Sequence, residues 1–163
     1  MTRLAAVFAV VVAVLAVAST PGLAATEHGR PIGAAVRAAS PAQSPFRGLT
    51  STTVHVGGRA LHVVIAKTDA QRQRGLRQRS DLGRYGGMLF VFGTTTDIGF
   101  TMSTVPVSLD IGFYGADGRT VDTLRMVPCS GTDATCPVYR ARKSFRYTLE
   151  TLAGALPAGA LTG

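Results

Sequence analysis

The sequence predicts a single small, mainly β domain, and the evidence is the spacing of apolar residues in the middle of the chain. Residues 87–92 form a continuous apolar run that is too short for a helix, which is typical of a strand buried on both faces. Residues 107–114 alternate apolar and polar side chains, as a half-buried strand does. Residues 98–103 alternate more loosely, and Asp117-Gly118 is a hairpin signal. These features predict consecutive strands joined by turns.

The segment before this region predicts a hairpin and one helix. Residues 50–56 and 59–66 are rich in β-favouring residues and are joined by two glycines, which indicates an antiparallel hairpin. Thr68 and Gln71 match a capping box, so we expect an arginine-rich helix to begin at Thr68.

Two more strands are predicted in the C-terminal third. Residues 119–127 are strand-like, but their apolar phase shifts between Val121 and Leu124, which predicts a bulge. Residues 144–152 alternate apolar and polar side chains over the length of a strand. No strand is predicted in residues 153–163.

The N-terminal part of the chain has a different composition. Residues 1–24 combine Arg3, an uncharged apolar run and small residues before a cleavage site after Ala24, which is the pattern of a signal peptide. The alternative is that this segment is retained as a membrane anchor. Residues 25–48 contain three prolines and no sustained apolar period, so they predict a flexible linker. The β domain is assigned to residues 49–163 of an exported extracellular, wall-associated or membrane-associated protein.

The chain has two cysteines, Cys129 and Cys136. In an exported protein the simplest interpretation of this spacing is a disulfide, with a redox-active pair, free thiols or a metal site as alternatives. A zinc site needs four ligands, and His28, His55 and His62 have no metal-ligand spacing to either cysteine. We therefore predict a disulfide, no metal and no cofactor.

The formal net charge is +8, and arginine dominates it. A cluster of five arginines occurs in one short segment: Arg72, Arg74, Arg77, Arg79 and Arg84. Such a protein is attracted to anionic surfaces, which outside the cell are acidic wall polymers and lipid headgroups. The interpretation we favour is that these arginines are simply solvated, and attachment to an anionic surface is the alternative. Nucleic acid is not expected, because no basic strand carries interleaved aromatic residues for base stacking.

Between residues 61 and 154 a series of short motifs occurs in a recognisable order: Arg72-x-x-Gly75-Leu76-x-x-Arg79, Gly87-Met88-Leu89-Phe90-Val91-Phe92, Phe100-x-Met102, Leu109-Asp110-Ile111, Asp117-Gly118-Arg119, Pro128-Cys129, Cys136-x-x-Tyr139, Tyr147-x-Leu149-Glu150 and Ala153-Gly154. This series resembles the exported bacterial and archaeal family known as domain of unknown function 192. The resemblance implies a compact, mainly β domain with a barrel-like antiparallel core and one short helix. It implies no established activity. The helix and strand with which the family usually ends are not recognisable in residues 155–163.

Six residues in these motifs are candidate binding residues: Arg72, Arg79, Met102, Asp110, Tyr139 and Glu150. Asp110 and Glu150 occupy the polar faces of strands that could be neighbours, and paired carboxylates perform acid–base catalysis in glycosidases. The interpretation we favour is that Asp110 forms a partly buried ion pair with Arg72 or Arg79 and attaches the helix to the sheet. Isolated methionines such as Met102 fit a core better than a copper site.

Two classes of function are consistent with these sequence features. The first is a non-enzymatic module of the cell envelope, structural or binding a glycan, a lipid headgroup or a partner protein, and we expect it to be monomeric. The second is a small hydrolase or carbohydrate-active enzyme that uses Asp110 and Glu150 beside Arg79 and Tyr139. No residue is assigned as catalytic, because a Ser, His and acid triad is not recognisable in the motif-bearing segments.

Overall fold

The computed structural model describes residues 29–163 and has a mainly β fold with two short helices. The helices are α1 (Ile32–Arg37) and α2 (Asp69–Arg74). The strands are β1 (Ser40–Pro41), β2 (Thr50–Val56), β3 (Arg59–Ala66), β4 (Gly87–Thr96), β5 (Phe100–Thr101), β6 (Leu109–Tyr114), β7 (Thr120–Met126), β8 (Val138–Tyr139), β9 (Phe145–Leu152) and β10 (Leu161–Thr162). Each helix in this part of the chain has six residues, too few to cross a membrane. The predicted signal peptide lies outside the described residues.

Eight strands form one sheet with the order β1-β2-β3-β4-β9-β6-β7, and β10 also pairs with β2. β5 and β8 form a separate two-stranded sheet. The β3–β4 pair is parallel because the chain returns through α2 before it enters β4. The prediction of a barrel-like core is wrong, because the sheet does not close. Closure would need a strand between β7 and β2, and the two-residue β10 pairs with β2 alone in the described part of the chain.

The main sheet is buried on both faces. Leu109, Ile111 and Phe113 of β6 share one face and belong to one apolar cluster, as predicted from their alternation. Tyr114 of β6 and Leu149 of β9 point to the other face and belong to a second cluster. The half-buried strand expected at residues 107–114 is therefore covered on both sides. The second face is covered by α1 and by residues near the C-terminus.

Residues 29–48 do not form the flexible linker predicted from the sequence. Ile32 and Ala35 of α1 are buried, and so is Phe46 before β2. At the other end of the chain, Leu161 of β10 is buried in the same cluster as Ile32, although no strand was predicted there. These residues are isolated apolar positions in polar or small-residue segments. Only the folded sheet supplies the surface against which they pack.

Several local predictions are confirmed. The Thr68–Gln71 capping box is formed: the Gln71 backbone N–H donates to Thr68 Oγ1 (3.2 Å), and the Thr68 N–H donates to Gln71 Oε1 (3.1 Å). The helix ends at Arg74 and is capped by Gly75, whose φ of 45° favours glycine. Cys129 and Cys136 form a disulfide.

The predicted bulge in β7 is also present. Phe113 pairs with Asp122, whereas the next residue, Tyr114, pairs with Thr120. Val121 is therefore the extra residue on β7, at one end of the segment in which the apolar phase shifts.

Candidate functional site

A pocket of about 420 Å³ lies between α2, β4 and β5, and we call it the α2 pocket. The apolar part of its wall is formed by Leu76, Phe90, Phe92, Ile98, Phe100, Met102 and Val105. The rings of Phe90 and Phe100 meet edge to face with centroids 5.5 Å apart, which holds β5 against β4. A concave apolar wall with a few polar groups is typical of small-molecule sites.

Glu150 of β9 lines the α2 pocket, and no hydrogen bond or charge from another of residues 29–163 contributes to the pKa of its carboxyl group. It is 6% exposed, and its neighbours across the two strand pairs are Met88 and Ile111. The face of β9 that carries Glu150, which was predicted to be polar, is therefore buried. Burial raises the pKa of this carboxyl to about 8, because the ionised form loses its hydration. At neutral pH the protonated carboxyl can both donate and accept a hydrogen bond.

Thr148 adds a second unpaired polar group on the same strand face. It lies two residues before Glu150, is fully buried, and its Oγ1 has no partner among the described residues. Thr148 does not line the pocket itself. Buried polar groups are normally paired, so this strand face, which lies next to the open pocket, differs from the face of an ordinary core strand.

Arg72 of α2 stands at the rim of the pocket, where it is held by several contacts. Its guanidinium donates to the carbonyl oxygens of Lys67 (2.6 Å) and Val91 (2.8 Å) and pairs with Asp69. Its Cζ lies 4.9 Å from the centroid of the Phe92 ring, within cation–π distance. Arg72 therefore attaches α2 to β4 and forms part of the pocket wall.

Arg77 connects the rim to the disulfide loop, residues 129–136. It donates to both carboxylate oxygens of Asp133 (2.6 and 2.7 Å) and to the carbonyl oxygen of Ser103 (3.0 Å). Asp133 also accepts a hydrogen bond from Thr101 Oγ1 (2.6 Å). The Arg77 and Thr101 hydrogen bonds hold the pKa of the Asp133 carboxyl below its usual range. The loop thereby closes one side of the pocket.

Arg74 is the third arginine at the rim. It is exposed and has no hydrogen-bond or ion-pair partner among residues 29–163. Because Arg72 and Arg77 each pair with an aspartate, Arg74 leaves the rim with one uncompensated positive charge. In the described part of the chain, no three His, Cys, Asp or Glu side chains converge as metal ligands.

Of the six residues predicted from sequence, Arg72, Met102 and Glu150 meet in the α2 pocket. Arg79 does not, because its guanidinium lies over the Phe46 ring, 4.4 Å from the centroid. Tyr139 of β8 also lies outside; its hydroxyl accepts a hydrogen bond from the Val127 N–H (3.1 Å), and its strand pairs with β5. Tyr139 therefore supports the pocket wall from behind.

Asp110 also lies outside the pocket, and the ion pair predicted with Arg72 or Arg79 is wrong. Asp110 pairs instead with Arg125, directly opposite on β7, and accepts a hydrogen bond from the Gly154 N–H (2.6 Å). The cross-strand position explains this choice, because opposite residues of an antiparallel pair lie closest together. Asp110 is a structural acid, but it joins strands rather than attaching the helix.

Several pocket residues were not predicted as site residues. Phe92 and Phe100 were interpreted only as strand residues, and Arg74 only as one member of the basic cluster. Asp133 carried no sequence signal apart from its place between the two cysteines. It is 56 residues from Arg77, so only the folded chain brings them together.

The comparisons with known proteins agree with this fold. A protein of unknown function from Novosphingobium aromaticivorans is similar in structure (TM-score 0.65, 28% identity), over 79% of this chain and 96% of that chain. A putative transcription regulator from Sinorhizobium meliloti is also similar (TM-score 0.61, 28% identity), over 71% and 95% of the two chains. No curated protein matches the chain. The model of DUF192, described as uncharacterized ACR, matches residues 51–161, and the chain therefore belongs to this family of unknown function.

Proposed function

We propose that this protein is an exported, non-enzymatic binding module of the cell envelope and that its ligand binds in the α2 pocket. The observation that carries the proposal is the carboxyl of Glu150, which is buried beside the apolar part of the pocket and whose pKa no partner among residues 29–163 lowers. A buried polar group without a partner is unfavourable, and a ligand that supplies the missing hydrogen bond recovers that free energy.

The enzyme alternative loses its basis in the structure. Asp110 and Glu150 were the proposed carboxylate pair, and they project from opposite faces of the sheet. The other two acids at the pocket, Asp69 and Asp133, are each bonded to an arginine. Among residues 29–163, no histidine or cysteine lines the pocket. The geometry therefore supports binding better than acid–base or nucleophilic catalysis.

Export and attachment to the envelope are the second part of the proposal. Residues 1–24 have the pattern of a signal peptide, and a disulfide is compatible with an oxidising compartment. The positive charge of the chain favours acidic wall polymers or lipid headgroups as the surface to which it attaches.

The binding site can be tested with 1-anilinonaphthalene-8-sulfonate, an aromatic anion that fluoresces in apolar pockets, as a probe. We expect saturable chemical-shift changes at the backbone amides of Gly75, Gly99 and Thr101, which line the pocket. The amides of Gly57 and Gly58, in the hairpin turn before β3, are the internal control because they lie at the end of β3 away from α2. Shifts that are equally large in the hairpin, or scattered over the surface, would overturn the assignment.

Envelope attachment can be tested by fractionation at low and high salt. We expect low-salt retention that is lost at high salt, and weaker retention of the double variant Arg74→Gln/Arg84→Gln. Arg72, Arg77 and Arg79 are spared because they hold the fold. Arg37→Gln/Arg59→Gln, two exposed arginines outside the cluster, is the control with the same charge change. Retention of every variant at all salt concentrations would contradict an electrostatic attachment and favour a retained N-terminal anchor.

A further inference from the structure

We propose that the ligand of the α2 pocket is a small anionic amphiphile with an apolar body and an uncharged hydrogen-bonding group, such as an amide, beside that body. This inference rests on the proposed binding function and specifies the chemistry of the ligand. Three features of the pocket carry it: the phenylalanine wall, the buried carboxyl of Glu150 and the uncompensated charge of Arg74.

The apolar body follows from the wall. Phe90 and Phe92 of β4 and Phe100 of β5 line one continuous surface with Met102 and Val105. Aromatic side chains of this kind favour ring stacking or branched hydrocarbon contacts over polar groups. A pocket of about 420 Å³ accommodates a molecule with one ring and a short chain, and larger molecules extend past the rim.

The uncharged polar group follows from Glu150. A protonated carboxyl presents one donor and one acceptor, which an amide complements with its C=O and N–H. An ammonium group would require an ion pair buried in an apolar wall, and removing two charges from water offsets most of their attraction. The uncompensated charge of Arg74 at the rim also opposes the approach of a cation.

The anionic group follows from the rim. Asp69 compensates Arg72, and Asp133 compensates Arg77. Arg74 has no partner among the described residues, so its guanidinium is available to a carboxylate, sulfonate or phosphate. One anionic group on the ligand therefore matches the net charge of the rim.

The contributions of these three features can be measured with a matched set of four small molecules. The affinity of each molecule is obtained from its displacement of the fluorescent sulfonate probe. N-benzoylglycine carries the ring, the amide and the carboxylate. 4-Phenylbutyrate has the same length without the amide, N-benzoylglycinamide lacks the negative charge, and N-(2-aminoethyl)benzamide replaces it by a positive charge. We expect N-benzoylglycine to bind about tenfold more tightly than each of the other three, the size expected for one hydrogen bond or one charge contact.

Two variants assign the preferences to residues. Arg74→Gln should remove the preference for N-benzoylglycine over its uncharged amide. Arg59→Gln, an exposed arginine at the start of β3 and away from the pocket, should leave that preference in place. Glu150→Leu should remove the preference for N-benzoylglycine over 4-phenylbutyrate, because leucine offers no hydrogen bond.

The pH dependence of ligand binding provides a further test, in which the carboxyl of Glu150 is ionised instead of being replaced. Glu150 faces Asp69, Arg72, Arg74, Arg77 and Asp133 around the pocket, and both aspartates are bonded to arginines. Binding of N-benzoylglycine should weaken as pH rises through about 8, where the Glu150 carboxyl ionises and repels the anionic ligand. Glu150→Gln cannot ionise, so at pH 9.5 it should bind about tenfold more tightly than the unsubstituted protein.

The outcomes separate this inference from the proposed function. Preference for the ammonium compound, or no gain in the Glu150→Gln variant at pH 9.5, overturns the ligand class while leaving the pocket as a binding site. Failure of the sulfonate probe and of all four compounds to shift the pocket amides overturns the binding function itself.

Discussion

Asp110 in β6 and Glu150 in β9 lie on neighbouring strands, but their side chains leave the sheet on opposite faces. The register pairs Asp110 with Thr151 and Ile111 with Glu150, so the two acids are offset by one residue. Successive side chains on a strand alternate between faces, so one acid reaches Arg125 and the other reaches the α2 pocket. This offset separates a structural ion pair from a candidate ligand group.

Replacing Glu150 by glutamine should stabilise the protein, and the gain should increase with pH. Burial raises the pKa of Glu150 from an ordinary value of 4.5 to about 8. The stability that the protonated acid contributes is complete below pH 4.5, and it is lost as pH rises from there through 8. Glutamine does not ionise. The free energy of unfolding of the variant should therefore come to exceed that of the unsubstituted protein by about 3 to 5 kcal/mol as pH rises between these limits.

Urea unfolding at several pH values between 4.5 and 9.5 measures this gain as a free energy of unfolding. Asp97→Asn, at an exposed position, is the control for removing one negative charge. A difference between variant and parent that is the same at every pH would contradict the raised pKa.

Asp110→Asn should lower the free energy of unfolding by about 1 to 2 kcal/mol. The substitution removes the ion pair with Arg125 and weakens the hydrogen bond from the Gly154 N–H. The Asp110 side chain is 15% exposed and that of Arg125 is 57% exposed, so solvent screens the pair and limits the loss. Asp117→Asn, which breaks the more exposed pair with Arg119, should lose less. Equal losses in urea unfolding would argue against a special role for Asp110.

Reduction of the Cys129–Cys136 disulfide should lower the free energy of unfolding by about 2.5 kcal/mol, because the bond restricts a short loop in the unfolded chain. Thermal unfolding with and without dithiothreitol measures this change. Hydrogen exchange should also increase in residues 129–136, since only hydrogen bonds, such as those of Asp133 with Arg77 and Thr101, would then hold the loop. The double variant Cys129→Ser/Cys136→Ser is the control and should not respond to reductant. An unchanged melting temperature on reduction would contradict a stabilising role.

Gly112→Ala should destabilise the protein by about 1 to 3 kcal/mol through overpacking. A Cβ atom at Gly112 would lie 2.5 Å from the Tyr114 hydroxyl oxygen and 2.8 Å from its ring, because that buried ring covers the glycine. Gly93→Ala is the matched control on β4, since no atom of the described residues lies within 4 Å of a Cβ atom there. Its effect should stay within about 0.5 kcal/mol. Equal losses in both variants would show that the space over Gly112 adapts.

Local features of the fold could be predicted because neighbours in the sequence produce them. The Thr68–Gln71 capping box and the hairpin glycines involve residues a few positions apart, and their geometry depends on little else. The alternation of Leu109, Ile111 and Phe113 likewise predicted a shared face. The candidate site could be predicted only in part, since Arg72, Met102 and Glu150 share the pocket with residues that had no such signal.

Short segments of the sequence were therefore sufficient to define the long strands, the capped helix, the cysteine pair and the family, because each depends on periodicity, composition or motif order. Tertiary packing alone brought Asp110 to Arg125 and Arg77 to Asp133, and it buried Glu150 at an open pocket. Strand order and register set these contacts, and both result from packing of the whole sheet. A shift of one residue in register would send the side chains of a strand to the opposite face without any change in local propensity.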